Sequence, residues 1–332
     1  MTIYGLDEDA PPRERFSRRF QILSLSGGGY RGLFTAAVLE MMETGGSPLQ
    51  QRFDLITGTS IGSILASAVA LGVPAKDIVA GMLKHGTRIF PAQGRMRRMA
   101  RAVRQFAVSA PYKVGPLEDA IAEILQGKES QLLSEMEQAL AIPAVSHTRA
   151  APRILRSKGL ARGQSDRVSV MDAMLASAAA PTYFPARRLG KETVVDGGIV
   201  ANAPEMVAVS DAMRFQNVPL ANIHVLSIGT ASIDLVRPAT EEGRPGTVGW
   251  MARRQLFQVT MQAQESLIRD QCAALLGDRY LHINVEPAPA QAKILRLDNA
   301  DREAKDTLID LAGQAWSDAQ SKHAQTLRAF EN

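Results

Sequence analysis

The chain has 332 residues, of which 45% are hydrophobic and 22% are charged. This is ample apolar material for a packed core, and it excludes a disordered chain. The 38 basic and 34 acidic residues give a net charge of +4, an excess too small to indicate a nucleic-acid-binding protein. The single cysteine, Cys272, excludes an internal disulfide framework and fits a reducing compartment.

The first 19 residues are polar and charged and lack the apolar segment of a signal peptide. We therefore expect a flexible leader over residues 1–19. The longest apolar stretch, residues 64–73, is about half as long as the roughly 20 residues of a membrane-spanning helix. Any membrane contact is therefore expected to be peripheral.

Two strand–turn–helix units open the predicted fold. In each, a short apolar strand leads into a glycine-containing turn, and a helix with apolar periodicity follows. The strands are residues 21–26 and 53–57, the turns are 27–32 and 58–62, and the helices are 33–42 and 63–71. Two such units in succession predict a parallel sheet covered by helices.

Later parts of the chain alternate between strand and helix signals. Strands are predicted at residues 193–195, 223–228 and 280–285, and helices at 117–125, 170–177, 250–276 and 302–330. Strand signals are sparse between about residues 85 and 151, which predicts a helical insertion there. We predict one α/β domain over residues 20–332, with C-terminal helices over about 250–330.

The pentapeptide Gly58-Thr59-Ser60-Ile61-Gly62 matches the G-x-S-x-G nucleophile elbow. In that elbow a sharp strand-to-helix turn exposes the serine hydroxyl, and the helix N-terminus favours developing negative charge. The alternative is a tight turn whose serine caps the following helix. Because a predicted strand precedes the turn and a predicted helix follows it, we favour Ser60 as a nucleophile.

The glycine loop, defined here as residues 27–32, fits two functions. Its spacing of Gly27, Gly29 and Gly32 is that of the dinucleotide-binding pattern G-x-G-x-x-G. That pattern needs an acidic residue at the C-terminal end of the next strand, whereas the candidate Asp54 lies at the start of its strand. A dinucleotide-binding module without enzymatic activity is nevertheless the alternative to catalysis that this spacing offers.

The second function of the glycine loop is an oxyanion hole, which we favour. Consecutive glycines leave backbone N–H groups free to point at one oxygen, and a neighbouring arginine adds positive charge. Parallel strands end at one edge of a sheet, so this loop would lie beside Ser60. The predicted oxyanion hole comprises Gly27, Gly28, Gly29, Arg31 and Gly32.

A serine nucleophile needs a base, for which Asp196 is the first candidate. It follows an apolar strand and precedes Gly197 and Gly198, so its carboxylate would emerge at the end of a strand. An ordinary Asp-Gly turn is the alternative for this tripeptide. A histidine base in the order Ser, Asp, His is the other option. We interpret the three histidines in later strands and helices as structural: His224, His282 and His323.

The glycine loop, the G-x-S-x-G turn and Asp196-Gly197-Gly198 together resemble the patatin-like phospholipase family. Residues 176–185 (ASAAAPTYFP) and 226–230 (LSIGT) are also similar to that family. The resemblance implies a three-layer α/β/α fold with a mainly parallel sheet, and a Ser-Asp dyad without histidine, carried by Ser60 and Asp196. Many members have aspartate before the triple glycine, where this chain has Ser26.

The run that begins at Phe20 and the overall size are similar to the CapV-type patatin phospholipases of bacterial CBASS anti-phage systems. This resemblance implies a cytoplasmic enzyme that acts peripherally at the inner membrane once a cyclic dinucleotide such as 3',3'-cGAMP binds. No residue pattern identifies the nucleotide pocket. The expected partners are a phospholipid substrate, the activating nucleotide and, as an option, a second copy of the chain. No DNA, RNA, cofactor or metal is expected, and a constitutive patatin-like esterase is the alternative.

Residues 95–106 form a predicted amphipathic basic helix. Apolar side chains recur there at helical spacing, and arginines cover much of the remaining surface. Such a helix could lie on an anionic bilayer, close over a lipid site or bind the phosphates of a cyclic dinucleotide. The alternative is a surface helix that packs on the core. The arginines are Arg95, Arg97, Arg98, Arg101 and Arg104.

Overall fold

The computed structural model describes residues 18–91, 112–232 and 255–330. Within these residues, eight strands form one sheet. They are β1 (Phe20–Leu25), β2 (Leu55–Gly58), β3 (Ala139–Ser146), β4 (Ala151–Arg156), β5 (Arg187–Leu189), β6 (Glu192–Asp196), β7 (Ile223–Ile228) and β8 (Tyr280–Ile283). The predicted basic helix at residues 95–106 lies outside the described residues.

The described helices flank this sheet. They are α1 (Gly32–Glu43), α2 (Leu49–Arg52), α3 (Ile61–Ala70), α4 (Ala75–Ile89), α5 (Gly115–Leu125), α6 (Val170–Ser177), α7 (Gly198–Ala201), α8 (Glu205–Phe215), α9 (Gln255–Leu276), α10 (Pro289–Ile294), α11 (Arg302–Lys322) and α12 (Ala324–Arg328). None of the described helices is long and apolar enough to cross a membrane.

The sheet order is β5-β6-β3-β2-β1-β7-β8, and β4 also pairs with β3. Five neighbouring strands run parallel to one another: β3, β2, β1, β7 and β8. β4 and β6 run antiparallel to β3. β1 lies in the middle of the five parallel strands and is buried along its whole length, as expected of a parallel strand covered on both faces.

Alternate residues of β1 enter two different cores. Leu23 and Leu25 pack in a cluster with side chains of α1, α3 and α4, whereas Phe20 and Ile22 pack with side chains of α8 and α9. Helices therefore cover both faces of the sheet. The predicted three-layer α/β/α fold with a mainly parallel sheet is confirmed.

One part of the predicted helical insertion is wrong. Residues 139–146, inside the predicted insertion at 85–151, form the central strand β3 rather than helix. The segment has little local strand signal, since it is rich in alanine and contains Pro143, and proline is disfavoured in a central strand. Ala141 pairs with β2 and Ala144 pairs with β6, so Pro143 lies between the ends of two neighbouring strands.

Candidate active site

The turn between β2 and α3 holds Ser60 in a strained conformation. Its φ of 55° and ψ of −125° are seldom adopted by a residue with a side chain. Gly58 and Gly62 allow this turn to approach its surroundings closely. A Cβ atom on Gly58 would lie 2.1 Å from the Gly62 carbonyl oxygen, and one on Gly62 would lie 2.2 Å from that of Leu25. A side chain at Gly62 would force the turn away from β1, and one at Gly58 would distort the turn itself.

The Ser60 hydroxyl donates a hydrogen bond to Asp196, with 2.7 Å between Ser60 Oγ and Asp196 Oδ2. The other carboxylate oxygen, Oδ1, accepts from the backbone N–H of Gly198 at 2.7 Å. The Asp196 side chain is buried, with 2% exposure. These contacts bring together the two residues of the predicted dyad.

The sheet brings Asp196 to Ser60 by an arrangement that the sequence did not indicate. β6 runs antiparallel to β3, and Asp196 pairs with Ala144. β2 runs parallel to β3, and Thr57 pairs with Ala141. Since β4 pairs along the other edge of β3, β2 and β6 lie on the same edge and approach each other end to end. The dyad spans the gap between their ends.

Burial raises the pKa of Asp196 to about 6. The hydrogen bonds from Gly198 and Ser60 favour the charged carboxylate and limit this rise. A carboxylate with such a pKa is still mostly deprotonated at neutral pH, and it is a stronger base than an exposed aspartate. This suits it to remove a proton from a serine hydroxyl.

The glycine loop presents only part of the predicted set of donors. The Gly27 N–H donates to the Asn202 carbonyl at 3.0 Å, and the Gly32 N–H donates to the Gly29 carbonyl. The structure therefore does not support Gly27 and Gly32 as oxyanion donors. Within the described chain, the N–H groups of Gly28 and Gly29 have no protein partner, and both residues line the same cleft as Ser60.

Asp54 lies away from the glycine loop. Its carboxylate accepts hydrogen bonds from Arg18 at 2.6 Å and from the Gln21 N–H at 2.8 Å, at the start of β1. The glycine loop follows the opposite end of β1. The loop therefore lacks the acidic partner that a G-x-G-x-x-G dinucleotide site requires.

The family model described as patatin-like phospholipase matches residues 23–209, which is more than half of the chain. The chain belongs to the patatin-like phospholipase family. A "cGAMP-activated phospholipase" of Pseudomonas aeruginosa is 34% identical over 301 residues, covering 89% of this chain and 87% of that protein.

The names of two further relatives of this patatin-like phospholipase also include an activating nucleotide. A "cGAMP-activated phospholipase" of Vibrio cholerae is 31% identical and covers 91% of this chain and 88% of that protein. A "cUMP-AMP-activated phospholipase" of Escherichia coli is 28% identical and covers 73% of each chain.

Ser177 is a site residue that the sequence patterns did not reveal. Its Oγ accepts the backbone N–H of Ser60 at 2.9 Å and donates to the Pro143 carbonyl at 2.6 Å. Ser177 thereby ties the strained nucleophile to β3. The one signal was the family-like stretch at residues 176–185, which did not single out this serine.

We predict that Ser177→Ala lowers kcat about tenfold and destabilises the fold by about 1–3 kcal/mol, because the partly buried Ser60 N–H loses its partner. Steady-state kinetics and urea unfolding would measure the two effects. The matched control is Ser67→Ala on α3, since the Ser67 hydroxyl is buried without a partner in the described structure. Equal kcat values in Ser177→Ala and Ser67→Ala would contradict the proposed role of Ser177 in holding Ser60 in place.

The three histidines weighed as bases lie elsewhere in the fold. His282 on β8 bonds Ser227 Oγ through Nδ1 at 2.9 Å, and burial lowers its pKa to about 3. His224 on β7 packs against the Phe330 ring, and His323 ends α11. Among the described residues of the cleft, the one histidine is His85, whose Nε2 is paired with Glu123 at 2.8 Å. None of the four bonds Ser60 or Asp196.

An open cleft leads to the dyad. Its walls are mainly apolar and come largely from α4 and α5. They include Met82, Ile89, Phe90, Ile121, Ile124 and Phe184. An apolar cleft that ends at the dyad suits a fatty acyl chain, with its ester carbonyl near Ser60.

Proposed function

We propose that this patatin-like phospholipase cleaves acyl esters of membrane phospholipids with Ser60 as nucleophile and Asp196 as general base. The observation that carries the proposal is the 2.7 Å contact between Ser60 Oγ and Asp196 Oδ2 at an apolar cleft. Family membership supports the reaction class. Asp196, rather than a histidine, is the proposed base because it is the titratable group that bonds the Ser60 hydroxyl.

In the proposed reaction Asp196 Oδ2 takes the proton of Ser60 as Oγ attacks the ester carbonyl carbon. The N–H groups of Gly28 and Gly29 stabilise the oxyanion. Collapse of this intermediate breaks the bond to the leaving alcohol, which receives the proton from Asp196. Water then attacks the acyl-enzyme while Asp196 accepts its proton, and Asp196 passes this proton to Ser60 Oγ as the acyl bond breaks and the fatty acid leaves.

The wall formed by α5 offers a test of where the acyl chain lies. Ala120 lines the cleft and is 3% exposed, so a phenylalanine there would fill acyl-chain space. We predict that Ala120→Phe lowers kcat/KM for a long-chain ester about tenfold or more and spares a butyrate ester. Ala122→Phe on the same helix, outside the cleft lining, is the control. Equal losses for both esters in Ala120→Phe would contradict this placement.

Activation by a cyclic dinucleotide is the regulatory part of the proposal. It is supported by the three relatives above, whose names include cGAMP or cUMP-AMP activation and which match most of this chain. The alternative is a constitutive esterase of the same family.

Hydrolysis of phospholipid vesicles by the full chain tests this activation. The assay compares no nucleotide with 3',3'-cGAMP, cUMP-AMP and cyclic di-GMP, and Ser60→Ala provides the background. We expect one nucleotide to raise fatty-acid release by about tenfold or more, as for a ligand that shifts an inactive population. Equal release under all conditions, abolished by Ser60→Ala, would identify a constitutive enzyme.

Action at the face of the inner membrane is also proposed, because the proposed substrate is part of a bilayer. Sedimentation with anionic and neutral vesicles would measure this binding. The homodimer, the single domain over residues 20–332 and the role of the arginines at 95–104 stay predictions.

A further inference from the structure

Helix α9 brings a buried carboxylate close to the glycine loop. Glu265 is 7% exposed and accepts a hydrogen bond from Asn202 Nδ2. The same Nδ2 group donates to the Gly27 carbonyl at 3.2 Å. Because both partners are acceptors, the amide nitrogen of Asn202 must face them. Glu265 thereby helps to orient the side chain that anchors the Gly27 carbonyl.

The backbone of Asn202 joins the same two elements. Its N–H donates to Gln264 Oε1 of α9 at 2.7 Å, and its carbonyl accepts the Gly27 N–H at 3.0 Å. Asn202 is 1% exposed and directly follows α7, the short helix that begins in the Asp-Gly-Gly turn. One buried asparagine thus connects α9, the glycine loop and the dyad turn.

Arg31 provides a second link between Glu265 and the carbonyls of the glycine loop. The Nε atom of Arg31 lies 3.5 Å from the Gly28 carbonyl oxygen. Burial lowers the pKa of Arg31, and the negative charge of Glu265 opposes this effect. An arginine is charged at neutral pH in either case, so the effect of the carboxylate is to attract the guanidinium that lies beside the Gly28 carbonyl. Arg31 itself does not line the cleft among the described residues, so its charge acts behind the loop.

Anchoring these two carbonyls orients the two candidate oxyanion donors. In a planar trans peptide the C=O of one residue and the N–H of the next point in opposite directions. Fixing the Gly27 carbonyl therefore directs the Gly28 N–H, and fixing the Gly28 carbonyl directs the Gly29 N–H. We infer that Glu265 is a positioning residue that orients the oxyanion donors through Asn202 and Arg31. This inference rests on the proposed function of the glycine loop.

Two substitutions of Glu265 separate its hydrogen bond from its charge. Glu265→Gln keeps an acceptor for Asn202 and removes the charge that acts on Arg31, whereas Glu265→Leu removes both. We expect kcat for phospholipid hydrolysis to fall about threefold to tenfold in the first variant and about tenfold to a hundredfold in the second. KM should stay within about twofold, because the affected interactions strengthen in the transition state. Asp270→Asn, an exposed carboxylate of the same helix, should match the wild type.

A double-mutant cycle tests whether Glu265 acts through Arg31. It uses Glu265→Gln, the variant with nearly the same shape as the wild-type side chain. If the charge acts through Arg31, the losses in Glu265→Gln and Arg31→Gln will be less than additive. Additive losses, unchanged kcat in both Glu265 variants, or a loss confined to KM would overturn the inference. Rates are normalised to the folded fraction measured by circular dichroism. The proposed function fails separately if Ser60→Ala keeps its activity.

Discussion

Replacing Asp196 by asparagine is expected to lower kcat/KM for phospholipid hydrolysis on the order of 10³- to 10⁴-fold, because Ser60 loses its base. Asparagine has the shape of aspartate and can still accept the Gly198 N–H, so the turn should remain intact. Ser60→Ala should abolish hydrolysis above background. Both variants are to be assayed under the nucleotide condition that gives the highest wild-type rate.

His282→Gln serves as the control for a histidine mechanism. His282 is buried and bonds Ser227 rather than Ser60, so its replacement should leave kcat near the wild-type value once folding is verified. Wild-type hydrolysis in Asp196→Asn, or its loss in folded His282→Gln, would argue against the dyad.

The rate of hydrolysis should depend steeply on pH below neutrality. The base must be deprotonated, and burial raises the pKa of Asp196 to about 6. The wild-type rate is therefore expected to fall on the order of a hundredfold between pH 7 and pH 4, and the residual rate of Asp196→Asn should lack this dependence. A wild-type profile that is flat between pH 5 and pH 7 would contradict the role of Asp196.

The same pKa shift predicts a dependence of stability on pH. Because the folded-state pKa is raised, Asp196 contributes stability that is fully present below its unfolded pKa and is lost as pH rises through about 6. A rise from 3.8 to about 6 corresponds to about 3 kcal/mol. Asp196→Asn should therefore raise the free energy of unfolding by up to about 3 kcal/mol at pH 8 and by little at pH 4. Urea unfolding at both values measures this, and an equal gain at both would contradict it.

Local pattern was sufficient to predict the elements next to the nucleophile. β2 and α3, on either side of Ser60, begin within two residues of the predicted strand and helix, and β7 has the predicted bounds. The strand, turn and helix around Ser60 are consecutive in the sequence, so the patterns that predict them are local. The mainly parallel sheet followed from two such units in succession.

The remainder of the site depends on contacts between distant segments. Ser60 and Ser177 are 117 residues apart, and Gly27 and Asn202 are 175 apart. No periodicity marks such pairs, because Ser177 and Asn202 each have the pattern of an ordinary polar residue in their own segments. The strand at residues 139–146 shows the opposite case, since local strand signals are sparse there and long-range pairing stabilises the strand.

Covalent labelling by a fluorophosphonate lipid analogue, mapped by mass spectrometry, tests the dyad most directly. The phosphorus is attacked as an ester carbonyl would be, so the labelling rate reports the nucleophile and its base together. We predict a single adduct on Ser60 in the wild type, none in Ser60→Ala, and labelling slowed on the order of 10³-fold in Asp196→Asn. An adduct on another residue, or equal labelling rates in the wild type and Asp196→Asn, would contradict the Ser60–Asp196 mechanism.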